Sequence, residues 1–398
     1  MNPDPAMAGG TTEAVSSDAE RAALLATVRD FARHEIAPHV AAYDREERFP
    51  IDIVRAAAQL GWIGAVVAPE YGGLGLDWLS FAQLIEQVSR TCHIVGLAIS
   101  MPSGLVGGGI LRYGSEEQKQ RWIAPMVRGE SFAGAGVTEP GGGTDVANMK
   151  TRCRREGDDY VITGTKAWIS MLDHADWFLT FASIDPSLGR KGICAFVVER
   201  SAAGLSVAPY KNKLGFRPIA TGDLVLDGVR VPVENRIGDE GDGYKVAMAA
   251  VETGRLSVAA RALGLAQASL DASVSYARNR EVFGKEIGRF QLVQSMITDM
   301  VVGVEGARRM LYDLARDKDA GAERPRRTAS LAKMHASDVA MMAATHAVQI
   351  HGAYGVSDEY PVARYFRDAK VFQIVEGNNQ LHRSMLAEYA LGYREPDR

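Results

Sequence analysis

One carboxylate in this 398-residue sequence stands where a helix would not choose it. Residues 361–383 read PVARYFRDAKVFQIVEGNNQLHR, a basic and aromatic helical pattern that stops at Glu376-Gly377-Asn378-Asn379. A second helical pattern follows at once, from Gln380 to about Ala390. Glu376 therefore falls at a helix end, where the macrodipole favours cations. A local rule broken without local gain marks a candidate site. With Phe372, Ile374 and Val375 as neighbours, desolvation raises its pKa and suits it to general-base work. The plainer reading, a solvated Glu in a turn between helices, stays open at this level.

Four further stretches carry polar groups at workable spacing. Val137-Thr138-Glu139-Pro140-Gly141-Gly142-Gly143-Thr144-Asp145 is a Gly-rich loop with hydroxyls on both sides. Backbone N–H groups without bulky neighbours can approach a phosphate or an electron-rich ring, although such a string is also a common surface hairpin. Lys166-Ala167-Trp168-Ile169-Ser170 puts an indole and a hydroxyl on a strand, where a Trp is as readily core. Arg278-Asn279-Arg280-Glu281-Val282-Phe283-Gly284-Lys285, followed by Phe290-Gln291, is a charge-rich helix end. Its Arg280 can grip phosphate oxygens bidentately or stay solvated. Gln349-Ile350-His351-Gly352-Ala353-Tyr354-Gly355 ends a helix with a glycine that permits reversal.

The elements that must hold these residues fall into blocks. Residues 1–16 are small, polar and carry Pro and Gly, and read as a disordered tail. Residues 17–130 are helical. Ser17-x-x-Glu20 and Ser115-x-x-Gln118 have the form of capping boxes. Leu24, Leu25, Val28, Phe31, Ala32 and Ile36 make one apolar face, Pro38 ends it, and a second helix runs from Pro50 to just before Gly61. Residues 131–240 switch to short Val, Ile, Thr, Phe and Trp runs broken by turns, including a hairpin-type turn at Asp227-Gly228. Residues 241–398 are helical again, in long segments over about 244–280, 291–318, 326–351 and 361–390. The expected fold class is α+β multidomain: an N-terminal α-helical domain, a middle β-sandwich or barrel domain and a C-terminal α-helical bundle. Helices this long, Ala-rich and apolar on more than one face, require partners in the bundle and in an oligomer.

Composition removes several function classes. A net charge of −4 with both signs intermixed gives no field for nucleic acid or an anionic membrane. Cys92, Cys153 and Cys194 lie far apart without CxxC spacing, which argues against zinc or a disulfide framework and suits a reducing cytosol. His335, His346 and His351 read as packed helix residues, and no metal is expected. The longest uncharged run, 94–111, contains Pro102 and many Gly and Ser residues, so a broken buried helix is expected there and no membrane span. With no basic n-region or apolar h-region at the start, the expected location is cytoplasmic.

Taken in order, these motifs resemble the acyl-CoA dehydrogenases over about residues 20–390. The resemblance implies FAD, a helical domain, a β-domain and a C-terminal four-helix bundle. It places Val137 and Thr138 beside the flavin ring, with Gly143 in the same loop, and Thr144 toward the ribityl–pyrophosphate or the substrate's pantetheine. Trp168 and Ser170 would flank the ring, Ser170 as a donor to flavin N5. Arg280, Phe283 and Gln291 would reach the pyrophosphate and adenosine from a neighbouring copy, and Gln349 and Gly352 would face the adenine half. Asn378 and Gln380, just after the Glu-Gly pair, belong to the cofactor side by the same resemblance, although Thr is usual at the first of these positions. Tyr244, Leu97, Met101, Thr144 and Gly377 belong to the substrate side.

Arg367-Asp368-Ala369-Lys370 followed by Glu376-Gly377 resembles the family's RDAKxxxIxEGT signature, in which that Glu is the catalytic base. Some relatives carry the base directly before an Arg matching Arg255. Here Gly254 stands in that place, and Glu252 is turned about 200° around the helix. The implied reaction is α,β-dehydrogenation of an acyl thioester to the trans-2-enoyl thioester. Glu376 takes the pro-R α-proton, the β-hydrogen leaves as hydride to flavin N5, and the Glu376 N–H and a ribityl hydroxyl hold the thioester carbonyl. Arg255 orients the base or the substrate, or forms a plain ion pair. A carrier-protein thioester in place of CoA, a flavin monooxygenase or oxidase on the same scaffold, and a silent thioester-binding protein are the competing readings. The implied partners are further copies of the chain, as dimer or tetramer, and an electron-transferring flavoprotein.

Overall fold

Ser17 starts the first helix by a reciprocal pair of bonds. Its Oγ accepts from the Glu20 N–H (3.2 Å) and its own N–H donates to Glu20 Oε2 (2.7 Å). Ser115 and Gln118 repeat the device. The computed structural model describes residues 17–322 and 325–395, so the expected tail at 1–16 lies outside the described residues. The first block holds α1 (Asp18–Phe31), α2 (Val40–Glu46), α3 (Ile51–Gln59), α4 (Trp78–Ser100), α5 (Gly108–Tyr113), α6 (Glu116–Gln118) and α7 (Ala124–Val127). The break expected within 94–111 is a turn over 101–107 that carries Pro102. Among the described residues no helix is long and apolar enough to cross a membrane. A kink at Cys92 (φ −150°, ψ 104°) re-aims the second half of α4 and sets the position of His93.

The middle block holds β1 (Ala133–Gly136), β2 (Arg152–Glu156), β3 (Asp159–Ser170), β4 (Trp177–Ser183), β5 (Ile193–Glu199), β6 (Leu205–Pro209), β7 (Thr221–Pro232) and β8 (Arg236–Ile237). Their order is β6-β7-β3-β2-β4-β5-β8, with β1 added parallel to β4. A single pair, Arg152 with Ser183, joins the β2 side to the β4 side. β1 sits against both sides: a Cβ on Gly136 would meet Lys166 of β3 and Thr180 of β4, each at 3.2 Å. The hairpin expected at Asp227-Gly228 does not form. β7 runs straight through it, and the register with β3 shifts between Ile162 and Gly164. Gly228 takes φ +64° there, while the Asp227 N–H is taken by Gly204 O (2.9 Å). The pair is therefore a bulge inside one strand, which a left-handed glycine permits as readily as a turn.

The last block is built on α8 (Gly243–Asn279), whose Ala-rich surface is buried on most sides, as a helix apolar all round must be. A two-residue turn at Phe283-Gly284 (φ 50° and 74°) joins β9 (Glu281–Val282) to β10 (Lys285–Glu286). Then come α9 (Gln291–Asp319), α10 (Arg326–His351), α11 (Val362–Phe372) and α12 (Asn379–Ala390). All three blocks meet at α11. His93 Nε2 lies 3.0 Å from Asp368 Oδ2, and Asp368 Oδ1 accepts the Phe216 N–H (2.7 Å). Arg261 of α8 donates to the His93 carbonyl (3.0 Å) and lies over the rings of Phe216 and Phe372. Burial pushes the His93 pKa down against the pull of Asp368, so a neutral ring fixes this junction.

Candidate active site

The chain reverses after α11 through two successive left-handed residues, Glu376 (φ +55°) and Gly377 (φ +88°). The second is a glycine and adopts this region without strain; the first is not, and such a strained residue persists only when its surroundings hold it. They do so through its carbonyl oxygen, which accepts from Arg255 Nε (3.5 Å) and faces His382 Nε2 (3.3 Å). The Gly377 carbonyl accepts from Lys333 Nζ at 2.7 Å. Asn378 then caps α12, its Oδ1 accepting from the Leu381 N–H (2.9 Å). Among the described residues neither the Glu376 nor the Gly377 N–H has an acceptor. The carboxyl rests on α8 at Gly254, where a Cβ would come within 2.7 Å of Oε1 and 3.0 Å of Oε2.

Burial raises the Glu376 pKa to about 7, against the opposing pull of Arg255, Lys333 and Arg261. The source of that burial differs from the expected one. Phe372 is fully buried, but Ile374 points outward at 58% exposure, because the turn carries it over the outer side. Of the alternatives for Arg255, orienting the base or substrate or forming a plain ion pair, the structure shows a bond to the Glu376 carbonyl and not to its carboxylate. Glu252 is held away by Arg326 (2.8 Å). Burial, then Arg255 and Lys333, drive the His382 pKa down to about 3. Its ring is therefore neutral, with Nε2 assigned as the donor to the Glu376 carbonyl.

The Gly-rich loop is anchored by Glu139. Its carboxylate accepts from Lys166 Nζ and the Thr151 N–H, each at 2.9 Å, and from the Lys150 N–H. Burial alone would raise its pKa, but Lys166 and these N–H groups hold it at about 2. The Ala167 N–H donates to Thr138 O (2.9 Å), so Val137 and Thr138 run beside the strand that carries Trp168 and Ser170. Thr138 packs on Gly143, Thr144 is exposed, and a Cβ on Gly141 or Gly142 would meet nothing within 4 Å. Trp168 is not core: a bulge between Lys166 and Ile169 turns it outward at φ +59° and 62% exposure, edge-on to Tyr210.

A second group forms at the other end of α8. Arg280 lies over the Tyr354 ring (5.8 Å), which brings it to the turn holding Gln349 and Gly352 (φ +61°). Phe283, at 94% exposure, and Gln291 stand beside it on the surface. No hydrogen bond or ring contact joins this group to the Trp168 group among the described residues. Gln380 is exposed at the start of α12. Leu97 and Met101 line the end of α4, where Ser100 Oγ meets Ser257 Oγ of α8 at 2.6 Å. Tyr244 begins α8 under the Arg190 guanidinium (4.9 Å). An outward indole, an open glycine edge and nearby hydroxyls fit a flat ring, and the surface guanidinium beside an uncovered Phe, in a separate place, fits an anionic group.

Lys333 and His382 entered the site without being singled out from sequence; Asn379, which with Asn378 is a candidate cap of α12 by sequence, is instead a buried partner of Lys333. Lys333 carried a signal, being a charge on the stripe of α10 that also holds Ala329, Ala332, Ala336 and Ala340, all buried. A lysine on a buried face needs a partner.

Two helical blocks around a β-domain, with a half-buried carboxylate at a strained helix reversal and an exposed indole near a Gly-rich loop, make up the fold and its candidate site. Models of the acyl-CoA dehydrogenase N-terminal, middle and C-terminal domains match residues 18–130, 134–229 and 241–391. A short-chain specific acyl-CoA dehydrogenase of Clostridium acetobutylicum is 40% identical over 90% of this chain and 95% of its own. The glutaryl-coenzyme A dehydrogenase–glutaryl-CoA complex superposes with a TM-score of 0.93 at 37% identity, over 96% of this chain and 98% of that one. Butyryl-CoA dehydrogenase of Megasphaera elsdenii gives 0.90 at 36%, over 94% and 99%. The chain belongs to the acyl-CoA dehydrogenase family. It is an oxidoreductase acting on CH–CH donors, with FAD as cofactor and an acyl-CoA as substrate.

Proposed function

We propose that Glu376 is the base that removes the α-proton of a short-chain acyl-CoA. The observation that carries this reading is the carboxyl lying on Gly254 with its pKa raised to about 7, beside two backbone N–H groups that have no acceptor among the described residues. An α C–H is a weak acid, so its proton must pass to a desolvated carboxylate while the charge that develops on the thioester oxygen meets a fixed donor. The Glu376 N–H supplies that donor from the same turn. Gly377 lets substrate approach the backbone, and Leu97, Met101 and Tyr244 border the acyl and pantetheine side.

FAD supplies, when bound, the acceptor for the β-hydrogen and its electron pair. Val137, Thr138, Gly143, Thr144, Trp168 and Ser170 would hold its ring and chain, and Gln349, Gly352, Asn378 and Gln380 its remainder. Arg280, Phe283 and Gln291 would serve the cofactor of a second copy, which also covers the exposed Phe283 and Leu292. An electron-transferring flavoprotein is the proposed recipient of the reducing equivalents. A short acyl group is supported by the short-chain and butyryl relatives.

The test is Glu376→Gln assayed on butyryl-CoA and longer acyl-CoAs, with flavin content measured alongside. General-base loss lowers the rate by about 10²–10⁴-fold at retained flavin. Full activity in the flavin-replete variant overturns the assignment, and a preference for long chains overturns the substrate class.

A further inference from the structure

We propose that Lys333 of α10 is a positioning residue for the base: it holds the Glu376–Gly377 turn by the Gly377 carbonyl and brings its amine to the turn that carries the carboxylate. The proposal deepens the reading of Glu376 as base and rests on it. Lys333 is fully buried. A lysine kept only for packing would be replaced at less cost by Met or Leu, since an ammonium must recover its hydration by hydrogen bonds. Two of its protons have defined acceptors, Gly377 O at 2.7 Å and Asn379 Oδ1 at 2.9 Å.

The second acceptor is itself oriented. Asn379 is buried, and its Nδ2 donates to Ser337 Oγ (2.9 Å) and Asp338 Oδ1 (2.7 Å). That arrangement leaves only its oxygen for Lys333. Asp338 is fixed in turn by Gln373 (2.7 Å) and Arg383 (2.5 Å). Gln373 is the C-cap of α11, and its carbonyl accepts the Asn379 N–H (3.0 Å). The turn carrying the base is thus closed on itself through α10. Arg255 and His382 hold the Glu376 carbonyl from α8 and α12, and Lys333 holds the next carbonyl from a third helix. Because a trans peptide sets N–H opposite C=O, tying the Glu376 carbonyl inward turns the Gly377 N–H the other way.

The charges facing Glu376 can be named. Arg255 and Arg261 come from α8 and Lys333 from α10. His382 of α12 is neutral, Glu252 is paired with Arg326 and Asp338 with Arg383, while Asp368 of α11, bonded to the neutral His93 ring and the Phe216 N–H, interacts with the Arg261 charge. Burial lowers the Lys333 pKa to about 7 against the opposing pull of Glu376, so Lys333 favours the ionised base while it is protonated, and it alone of the three cations also bonds the Gly377 carbonyl.

The experiment compares Lys333→Met and Lys333→Gln with the parent holoenzyme in kcat and kcat/KM against pH, with Tm and flavin content recorded. Both variants remove the charge, so the acid limb of kcat/KM moves to higher pH by about half a unit or more. Gln retains a donor for Gly377 O and keeps the plateau kcat closer to the parent, whereas Met lowers it by about tenfold or more. A purely structural lysine lowers Tm or flavin content and leaves the limb in place, and that result overturns the proposal. If Met costs the flavin, the Gln profile alone decides, and Asn379→Ala, which removes the oriented acceptor but not the charge, is expected to lower kcat without moving the limb. Activity surviving in Glu376→Gln would instead overturn the base assignment. An inactive Glu376→Gln with unmoved limbs in the Lys333 variants overturns only the role of Lys333.

Discussion

Gly254 and Glu376 compete for one volume: a Cβ on residue 254 would lie 2.7 Å from Glu376 Oε1 and 2.8 Å from its Cδ. The obstructing atoms are the far end of a flexible side chain, so an added methyl displaces the carboxyl and leaves the helix intact. Gly254→Ala should therefore lower kcat by about tenfold or more at nearly constant Tm, since misplacing a reacting group by about 1 Å costs rate steeply. A variant with wild-type kcat, or one that fails to fold, would contradict this relationship.

The same carboxyl makes stability depend on pH. Its folded pKa of about 7 lies above the ordinary carboxyl value of 4.5. Between those values the folded state keeps a proton that the unfolded state has lost. Stability therefore falls as pH rises through this window, and the whole penalty is present above it. Glu376→Gln should raise Tm at pH 8, with the gain shrinking toward pH 4.5. Thermal melts across that range measure the slope, and a Tm loss at pH 8 would refute it.

The anchor of the Gly-rich loop gives a third expectation. Glu139 and Lys166 form a buried pair at 2.9 Å, and removing one partner strands the other. Glu139→Ala should cost about 3–5 kcal/mol and much of the flavin, while pairing it with Lys166→Met should recover part of the stability. Denaturant melts of the single and double variants check this. Equal destabilisation of both would mean that the N–H bonds to Glu139, and not the ion pair, hold the loop.

Much of this site is legible from sequence because its parts are local strings. The Ser17 and Ser115 capping boxes, the Gly-rich loop and the break at Glu376-Gly377 each follow from residues within a few positions of one another. What escapes reading are contacts between distant strings. Lys333 reaches Gly377 from another helix, and the clamp of Arg255 on the Glu376 carbonyl depends on how α8 faces the turn. Asp227-Gly228 misleads because a bulge and a hairpin turn ask the same left-handed glycine of the chain. Ile374 misleads because sequence proximity to Glu376 does not say on which side of a tight turn a side chain emerges.

Trp168 separates cofactor binding from stability. Its indole is 62% exposed and its backbone sits at φ +59°, so the chain gains little from it: an exposed ring buries little area, and a bulky residue in the left-handed region is strained. A residue that the fold does not need, exposed on the strand whose Ala167 N–H bonds Thr138 O of the Gly-rich loop, fits a role in covering a ring. Trp168→Ala should therefore leave the Tm of flavin-free protein within about 2 °C of the parent, as an ordinary surface substitution does. FAD affinity should fall by up to about tenfold, in line with roughly 0.5–1.5 kcal/mol for a lost aromatic stack. Equilibrium dialysis against FAD, with melts of both forms, reads the two quantities separately. A marked Tm loss without flavin, combined with unchanged FAD affinity, would show that the indole supports the strand and not the cofactor.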